Sequence, residues 1–470
     1  MRHKKINLLI ALVVSSVSAN AAEILSLPQA VQQALQYRSE MQSAKLALQS
    51  AELGLTATES QLSWQANASA GWKQGLDMFG QTSEQQRIAA GLVKQQRSGD
   101  RISLQGSYQR DESDIIGASL FPNPIESYGV NLDYRMPLQK GRDNLEYAYA
   151  ESQAKLGIVM STAQQQAMAE QITEQLIAIY HRLLDLQIQD NENQHAIERT
   201  LKLQALIKKN SRLGLAEEKD RLSIQARLMA QRAEEKRLQR EWTAQLTELQ
   251  KLLGTPQLHT RVVTFENTHS IPLALADIVQ KVIKRDAVIA INKERLVATQ
   301  TLLSLNRDKQ KDQFDVVLSV GNEIRQGQRS GSALDVNEWV GGVRLEYQLP
   351  LDRSGVDARA RQSLIEMDQI HLDNQRYESD LKNQLRQWYQ EWQMTAETRQ
   401  LYRQRVNIEQ QKYSEVKSRY LEGRTDIREM LEAEESLTTA NKLLANEEAR
   451  RSLVLALLSN RLGVFAKDGK

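Results

Sequence analysis

The residues best placed to do chemistry are carboxylates that recur behind two glycines. Counting from Gly214, Glu217 and Asp220 stand at plus three and plus six. Counting from Gly423, Asp426 and Glu429 stand at the same positions, and Glu432 adds plus nine. On a helix these spacings drift slowly round the axis, so the acids form a rough stripe near a helix start. Acids in a first turn interact favourably with the helix macrodipole, which accounts well for plus three and poorly for plus nine. No catalytic constellation accompanies them. The six histidines, at 3, 181, 195, 259, 269 and 371, are scattered, with no H-x-x-x-H pair. There is no G-x-S-x-G, no Walker loop and no dinucleotide-binding glycine signature. His181 and His195 read as solvated helix residues rather than metal ligands. No enzyme activity, metal or cofactor is expected.

The elements that carry these acids are long helices. The seven prolines are Pro28, Pro122, Pro124, Pro137, Pro256, Pro272 and Pro350, so Leu138–Thr255 and Leu351–Lys470 are free of proline. Both stretches are rich in Gln, Glu, Arg, Ala and Leu, which are good helix formers. Gly214 and Gly423 interrupt them, and Gly254 and Gly463 close them, as glycines do at helix ends. A helix over 142–213 would be about 108 Å long at 1.5 Å per residue. Apolar residues there are sparse and fall at 3–4 spacing: Leu381, Leu385, Trp388 and Trp392, then Tyr413, Val416 and Tyr420. The returning stretch repeats the pattern with Leu238, Trp242, Leu246, Leu249 and Leu253. Narrow stripes of this kind suit coiled-coil packing with the other faces wet.

Glycine concentrates elsewhere, and there the period changes to two. Nine of 22 glycines fall in Gly71–Gly141 and six in Gly321–Gly355. Trp64, Ala66, Ala68, Ala70 and Trp72 alternate with polar residues. So do Tyr128, Val130, Leu132, Tyr134 and Met136, then Phe314, Val316, Leu318 and Val320, and Trp339, Gly341, Val343, Leu345, Tyr347 and Leu349. Strands of about ten residues, apolar on one face and ending in aromatics, suit a lipid-facing barrel wall as well as a half-buried soluble sheet. The start of the chain favours the barrel. Arg2, His3, Lys4 and Lys5 precede the apolar run Ile6–Val14, and Ala19-Asn20-Ala21 offers a cleavage site, so residues 1–21 are expected to be a signal peptide. The longest other apolar run, Leu453–Leu458, is six residues, far below the roughly 20 that a spanning helix needs. A chain of this kind enters a membrane only as a closed barrel.

Charge and cysteine narrow the classes further. Without residues 1–21, Lys+Arg against Asp+Glu is 58 to 59, which is not the footprint of a nucleic-acid binder. There is no cysteine, so disulfides and an N-terminal lipid anchor are not expected.

The chain reads as a tandem repeat. Leu27–Leu35 parallels Leu275–Ile283 at an offset of 248, while Tyr134-Arg-Met-Pro-Leu138 parallels Tyr347-Gln-Leu-Pro-Leu351 at 213. Gly214 and Gly254 parallel Gly423 and Gly463 at 209. The shrinking offset places about 35 extra residues in the β region of the first half, where 86–93 and 102–108 could add a hairpin turning at Arg97–Asp100. The first repeat is taken as 22–260 (helix, strands about 64–136, long helix 142–213, returning helix 215–254). The second is 261–470 (helix, strands about 314–349, long helix 356–420, returning helix 424–463).

Duplicated halves, the Tyr-x-x-Pro-Leu junctions followed by Gly141 or Gly355, and the returning helices closed by Leu-Gly together resemble the TolC-like outer-membrane efflux channels over the mature chain. That resemblance implies an α+β membrane protein: a trimeric transmembrane β-barrel continued by a long periplasmic α-helical barrel. It implies a homotrimer in the Gram-negative outer membrane, acting as passive exit duct for an inner-membrane pump through a periplasmic adaptor protein. By the same resemblance Asp220 and Tyr420 match residues of a closing network at the tip, and Glu429 and Glu432 match an acidic ring. Thr425 falls where an arginine is expected, with Arg424 beside it. The tip turns Arg212-Leu213-Gly214-Leu215 and Leu421-Glu422-Gly423 would meet the adaptor. The chain ends seven residues after Gly463, so no long C-terminal extension is expected, and strand number stays open at four or six. The alternative is an exported coiled-coil structural protein or adhesin. Strands placed inside each repeat, rather than at one end, argue against it.

Overall fold

The computed structural model describes residues 24–76, 82–113, 122–212, 217–254, 262–264, 274–329 and 332–467. The expected signal peptide and the tip-turn residues Leu213, Gly214 and Leu215 lie outside them. The chain divides into two units. One holds residues 43–168 and 281–383, the other 1–42, 169–280 and 384–470. In chain order the elements are β1 (Ile24–Ser26), α1 (Leu27–Tyr37), α2 (Ser39–Glu59), β2 (Gln65–Leu76), β3 (Thr82–Gln95), β4 (Arg101–Ser113), β5 (Ile125–Pro137), α3 (Leu145–Arg212) and α4 (Glu218–Leu253). There follow β6 (Val262–Thr264), α5 (Leu275–Arg285), α6 (Ala287–Lys309), β7 (Gln313–Arg329), β8 (Ser332–Gln348), α7 (Ser354–Leu421), α8 (Ile427–Leu462) and α9 (Val464–Lys467).

The first unit contains one six-stranded antiparallel sheet in the order β2-β3-β4-β5-β7-β8. The strands run to 12–17 residues, longer than the roughly ten expected, because the otherwise apolar face turns polar towards the far rim, at Gln86, Arg110, Glu126, Gln326 and Asp335, and the alternation fades there. Register aligns the alternation across every strand. Ala66, Leu92, Leu104, Leu132, Val320 and Gly341 form one row, and Ile102, Tyr134, Leu318 and Val343 another. The next residue along each strand belongs to the opposite face, where Asn67, Gly91, Gln105, Asn131 and Gly321 form a row of amides and glycines that ends at Val340 on β8. A side chain at Gly321 has no room: its Cβ would lie 2.6 Å from the Val130 carbonyl oxygen. Near the helix-proximal end of the sheet, Arg135 bridges β5 to the buried Asp315 at 3.3 Å and to Glu346 at 2.5 Å.

The junction from β5 into α3 is more sharply bent than a helix starting at 142 allows. Gly141, Asp143 and Asn144 take positive φ angles of 88°, 67° and 42°, and Asp308 accepts the Gly141 N–H at 2.7 Å. The regular helix starts only at Leu145.

The second unit is helical apart from the parallel pair β1–β6. Tyr180, Leu176, Ile177 and Leu183 of α3 are fully buried, as are Leu249 and Leu253 of α4. The Tyr180 hydroxyl donates to the Ser26 carbonyl at 3.3 Å. Helices α7 and α8 are clasped where the Arg451 guanidinium stacks 4.7 Å from the Trp392 ring and donates to the Trp392 carbonyl at 3.2 Å. Gly254 and Gly463 end α4 and α8 in the left-handed conformation, with φ of 67° and 71°. This is the termination glycine alone adopts without strain.

Candidate functional site

The acids singled out by spacing begin two helices. At α8, Asp426 is the N-cap, and its Oδ1 accepts the Glu429 N–H at 3.1 Å. That N–H holds the Asp426 carboxyl below the usual carboxylate range, and Arg428 adds to the effect. At α4 the arrangement is reciprocal. Glu217 caps the helix, and Asp220, three residues on, accepts the Glu217 N–H at 3.3 Å. Both pairs satisfy amides that a helix start otherwise leaves without partners. The returning helices therefore begin at Glu218 and Ile427, about three residues later than the glycine spacing suggests. Glu429 also accepts from the Thr425 hydroxyl. The Glu429 and Glu432 side chains are exposed.

The other tip residues fall close by. Gly423 has φ +72° and its N–H donates to the Tyr420 carbonyl at 3.1 Å, closing α7. Arg424 pairs with Glu422 at 3.1 Å, and Glu422 also accepts from Ser418 at 3.2 Å. Leu421 is exposed. Arg212 ends α3 in the backbone. Tyr420 is half-buried against an apolar layer to which four helices contribute: Leu203 and Ile207 of α3, Ile224 of α4, Tyr413 and Val416 of α7, and Ile427 and Met430 of α8. Burial raises its phenol pKa, and the nearby Asp220 carboxylate raises it further. No hydrogen bond joins the two side chains among the described contacts.

One constellation escaped the spacing argument. Glu434 of α8 is 3 % exposed, and its carboxylate is shared by two guanidiniums. Arg199 of α3 reaches Oε1 at 3.0 Å, and Arg227 of α4 reaches Oε2 at 3.4 Å. Thr438 donates to Oε1 at 3.0 Å and accepts from Arg199 at 2.6 Å. Arg227 also pairs with the exposed Glu435 at 3.3 Å. The signal was present: Glu434 interrupts the buried stripe Met430, Ala433, Leu437 and Ala440. Its partners lie more than 200 residues away along the chain, so spacing cannot pair them.

The sheet supplies a second feature, with the opposite chemistry on its two faces. One face leaves Trp72, Leu104, Leu132, Val320, Trp339 and Val343 exposed. The other carries Ser107, Gln109, Asn131, Glu323 and Arg325 round a shallow hollow of about 460 Å³. Among the described residues the outer edges of β2 and β8 are unpaired. No described helix is long and apolar enough to cross a membrane, and no described cluster of His, Asp or Glu could hold a metal ion.

No family model matches the sequence, and no curated protein matches it in sequence. Solved structures match its fold. The outer membrane protein VceC from Vibrio cholerae aligns with TM-score 0.64 at 15 % identity, covering 93 % of this chain and 96 % of that chain. The outer-membrane channel OprN aligns at 0.62 and 19 %, covering 93 % and 89 %. The Campylobacter jejuni CmeC outer membrane channel aligns at 0.59 and 15 %, covering 93 % and 85 %. The chain has the fold of these outer-membrane proteins.

Proposed function

We propose that this chain is the outer-membrane exit duct of a tripartite efflux or type I secretion system, a conduit rather than a catalyst. The observation that carries the reading is the two-faced, open-edged sheet inside a fold shared with outer-membrane channels. An apolar face this large, left in water, is an interaction surface. The central rows of this face, uncharged between Lys94 towards one rim and the Arg110–Glu126 row towards the other, suit lipid, and the amide and hydroxyl rows opposite suit water. Open edges cannot remain in lipid, where each unpaired backbone group is costly. Six strands are too few to close alone, since membrane barrels have about eight or more. Several copies must share one wall, and the TolC-like resemblance makes the number three.

The helices support the same assembly. Met394, Leu401 and Ile408 of α7 are exposed at heptad spacing, the pattern of a coiled-coil seam awaiting a neighbour. In the trimer Asp220, Tyr420, Arg424, Glu429 and Glu432 line the periplasmic constriction. The turns at Arg212–Leu215 and Leu421–Gly423 meet a periplasmic adaptor protein, and an inner-membrane pump supplies the energy. Expression with membrane fractionation, native mass spectrometry and bilayer recording tests this directly. A trimer from the outer-membrane fraction that conducts ions is the expected result. A soluble periplasmic monomer overturns it.

A further inference from the structure

The two repeats do not contribute equally to the sheet. The second supplies one hairpin, β7–β8, and the first supplies four strands. The surplus can be placed. β2 starts at Gln65 and β7 at Gln313, the same offset of 248 that relates the repeats' first helices. The ends of β5 and β8 carry the Tyr-x-x-Pro-Leu motif at an offset of 213. The lost residues lie between β2 and β5, and β3 and β4 occupy that interval. Topology agrees. β2 and β5 run antiparallel to each other, so removing β3–β4 leaves two strands able to pair as β7 and β8 do.

The inserted hairpin is built into the wall. Ile88, Leu92, Ile102 and Leu104 continue the apolar rows, and Gly91, Gln105 and Ser107 continue the polar ones. Its turn is fastened to the β5–α3 junction: the Ser98 carbonyl accepts the Asp143 N–H at 3.0 Å, and the Gln96 carbonyl accepts from Asn144 Nδ2 at 3.0 Å. Arg97 stacks 5.3 Å from the Tyr147 ring. Gly99, at φ +90°, lies so close to the junction that an added Cβ would meet the Gly141 carbonyl oxygen at 2.2 Å.

We propose that β3–β4 is a wall-widening insertion that sets the size class of what the barrel passes. This rests on the trimeric reading above. Three copies then close 18 strands rather than 12. With strands about 4.8 Å apart and tilted about 40°, the backbone radius becomes about 18 Å instead of about 12 Å. Inward side chains fill a large part of the narrower lumen but leave a wide aqueous channel in the broader one. The barrel is therefore matched to bulky hydrated solutes rather than to small molecules alone.

Polymer partitioning from the extracellular side of single channels reads the barrel separately from the tip. Graded polyethylene glycols should enter the wild type up to a radius roughly twice that admitted by a variant lacking Thr82–Ser113. Equal cut-offs overturn the proposal. If the deletion fails to assemble, single cysteines in the otherwise cysteine-free chain decide. Gln105→Cys should react with a charged, water-soluble thiol reagent, and Leu104→Cys should be protected in lipid vesicles. Equal reactivity of both means that the hairpin lies outside the wall. A wild type that neither trimerises nor conducts counts against the duct reading instead.

Discussion

The N–H of Glu429 donates to Asp426 Oδ1 at 3.1 Å, so two acids of the tip stripe differ in role although they are three residues apart. Asp426 caps α8, whereas Glu429 and Glu432 cap no helix among the described contacts; all three side chains are exposed. Replacing Glu429 and Glu432 together by Ala should reduce cation selectivity several-fold and weaken block by multivalent cations, with trimer yield unchanged. Asp426→Ala should fray the start of α8 and leave selectivity intact, while Asp426→Asn keeps the cap. Because folding lowers the Asp426 pKa, its contribution is present above the ordinary carboxylate pKa of about 4 and is lost as pH falls below it. Bilayer recordings, with hydrogen exchange over 427–434, separate the two roles. An unchanged selectivity in the double variant removes the acidic ring and leaves the conduit standing.

The sheet's faces predict opposite tolerances for one substitution. Leu132→Arg and Val343→Arg place a charge in the apolar rows and should cost about 2–4 kcal/mol of insertion free energy near the membrane midplane. Gln105→Arg, on the polar face beside Asn131, should be tolerated. Trimer yield in reconstituted vesicles measures both. Equal yields from Leu132→Arg and Gln105→Arg contradict a lipid-facing assignment.

Much of the fold was legible because its signals are local. Alternation in Tyr128–Met136 and Phe314–Leu349 marks strands, and glycines at 254 and 463 mark helix ends that only positive φ explains. The number of strands was harder to read. Near the far rim Gln86, Arg110, Glu126, Gln326 and Asp335 form a row on the otherwise apolar face, and there the period-two signal vanishes. The candidate site was half legible. Spacing found the acids at the helix starts but not which of them cap the helix. It missed Glu434 because burial of a charge is decided by what approaches from other helices.

Glu434 yields a stability prediction with an internal control. Glu434→Ala leaves Arg199 and Arg227, which are 19 % and 29 % exposed, without their shared anion. Breaking a buried pair on one side typically costs about 3–5 kcal/mol. The triple variant Arg199→Met, Arg227→Met and Glu434→Leu should recover most of that loss, since apolar replacements of similar volume are often neutral or stabilising. Glu435→Ala removes only an exposed contact and should cost about 1 kcal/mol or less. Thermal denaturation of the assembled protein compares the three. A Glu434→Ala effect no larger than that of Glu435→Ala shows that the cluster is not buried in the assembly.

Tyr420 gives the tip a dependence on alkaline pH. Its phenol is half-buried in the four-helix apolar layer, and burial followed by the Asp220 carboxylate raises its pKa above the ordinary value. The neutral phenol is therefore favoured by folding. This contribution is complete below the unfolded pKa of about 10 and is lost as pH rises through the higher folded value. Above about pH 10 the layer should loosen, with faster exchange in 203–207 and 427–430 than elsewhere in the same helices. Tyr420→Phe keeps the ring and removes the ionisable group, so it should flatten that pH dependence while changing neutral-pH stability little. Asp220→Asn should shift the transition to lower pH, because it removes a charge that opposes phenolate formation. A wild type and a Tyr420→Phe variant with the same alkaline profile would place the titrating group elsewhere.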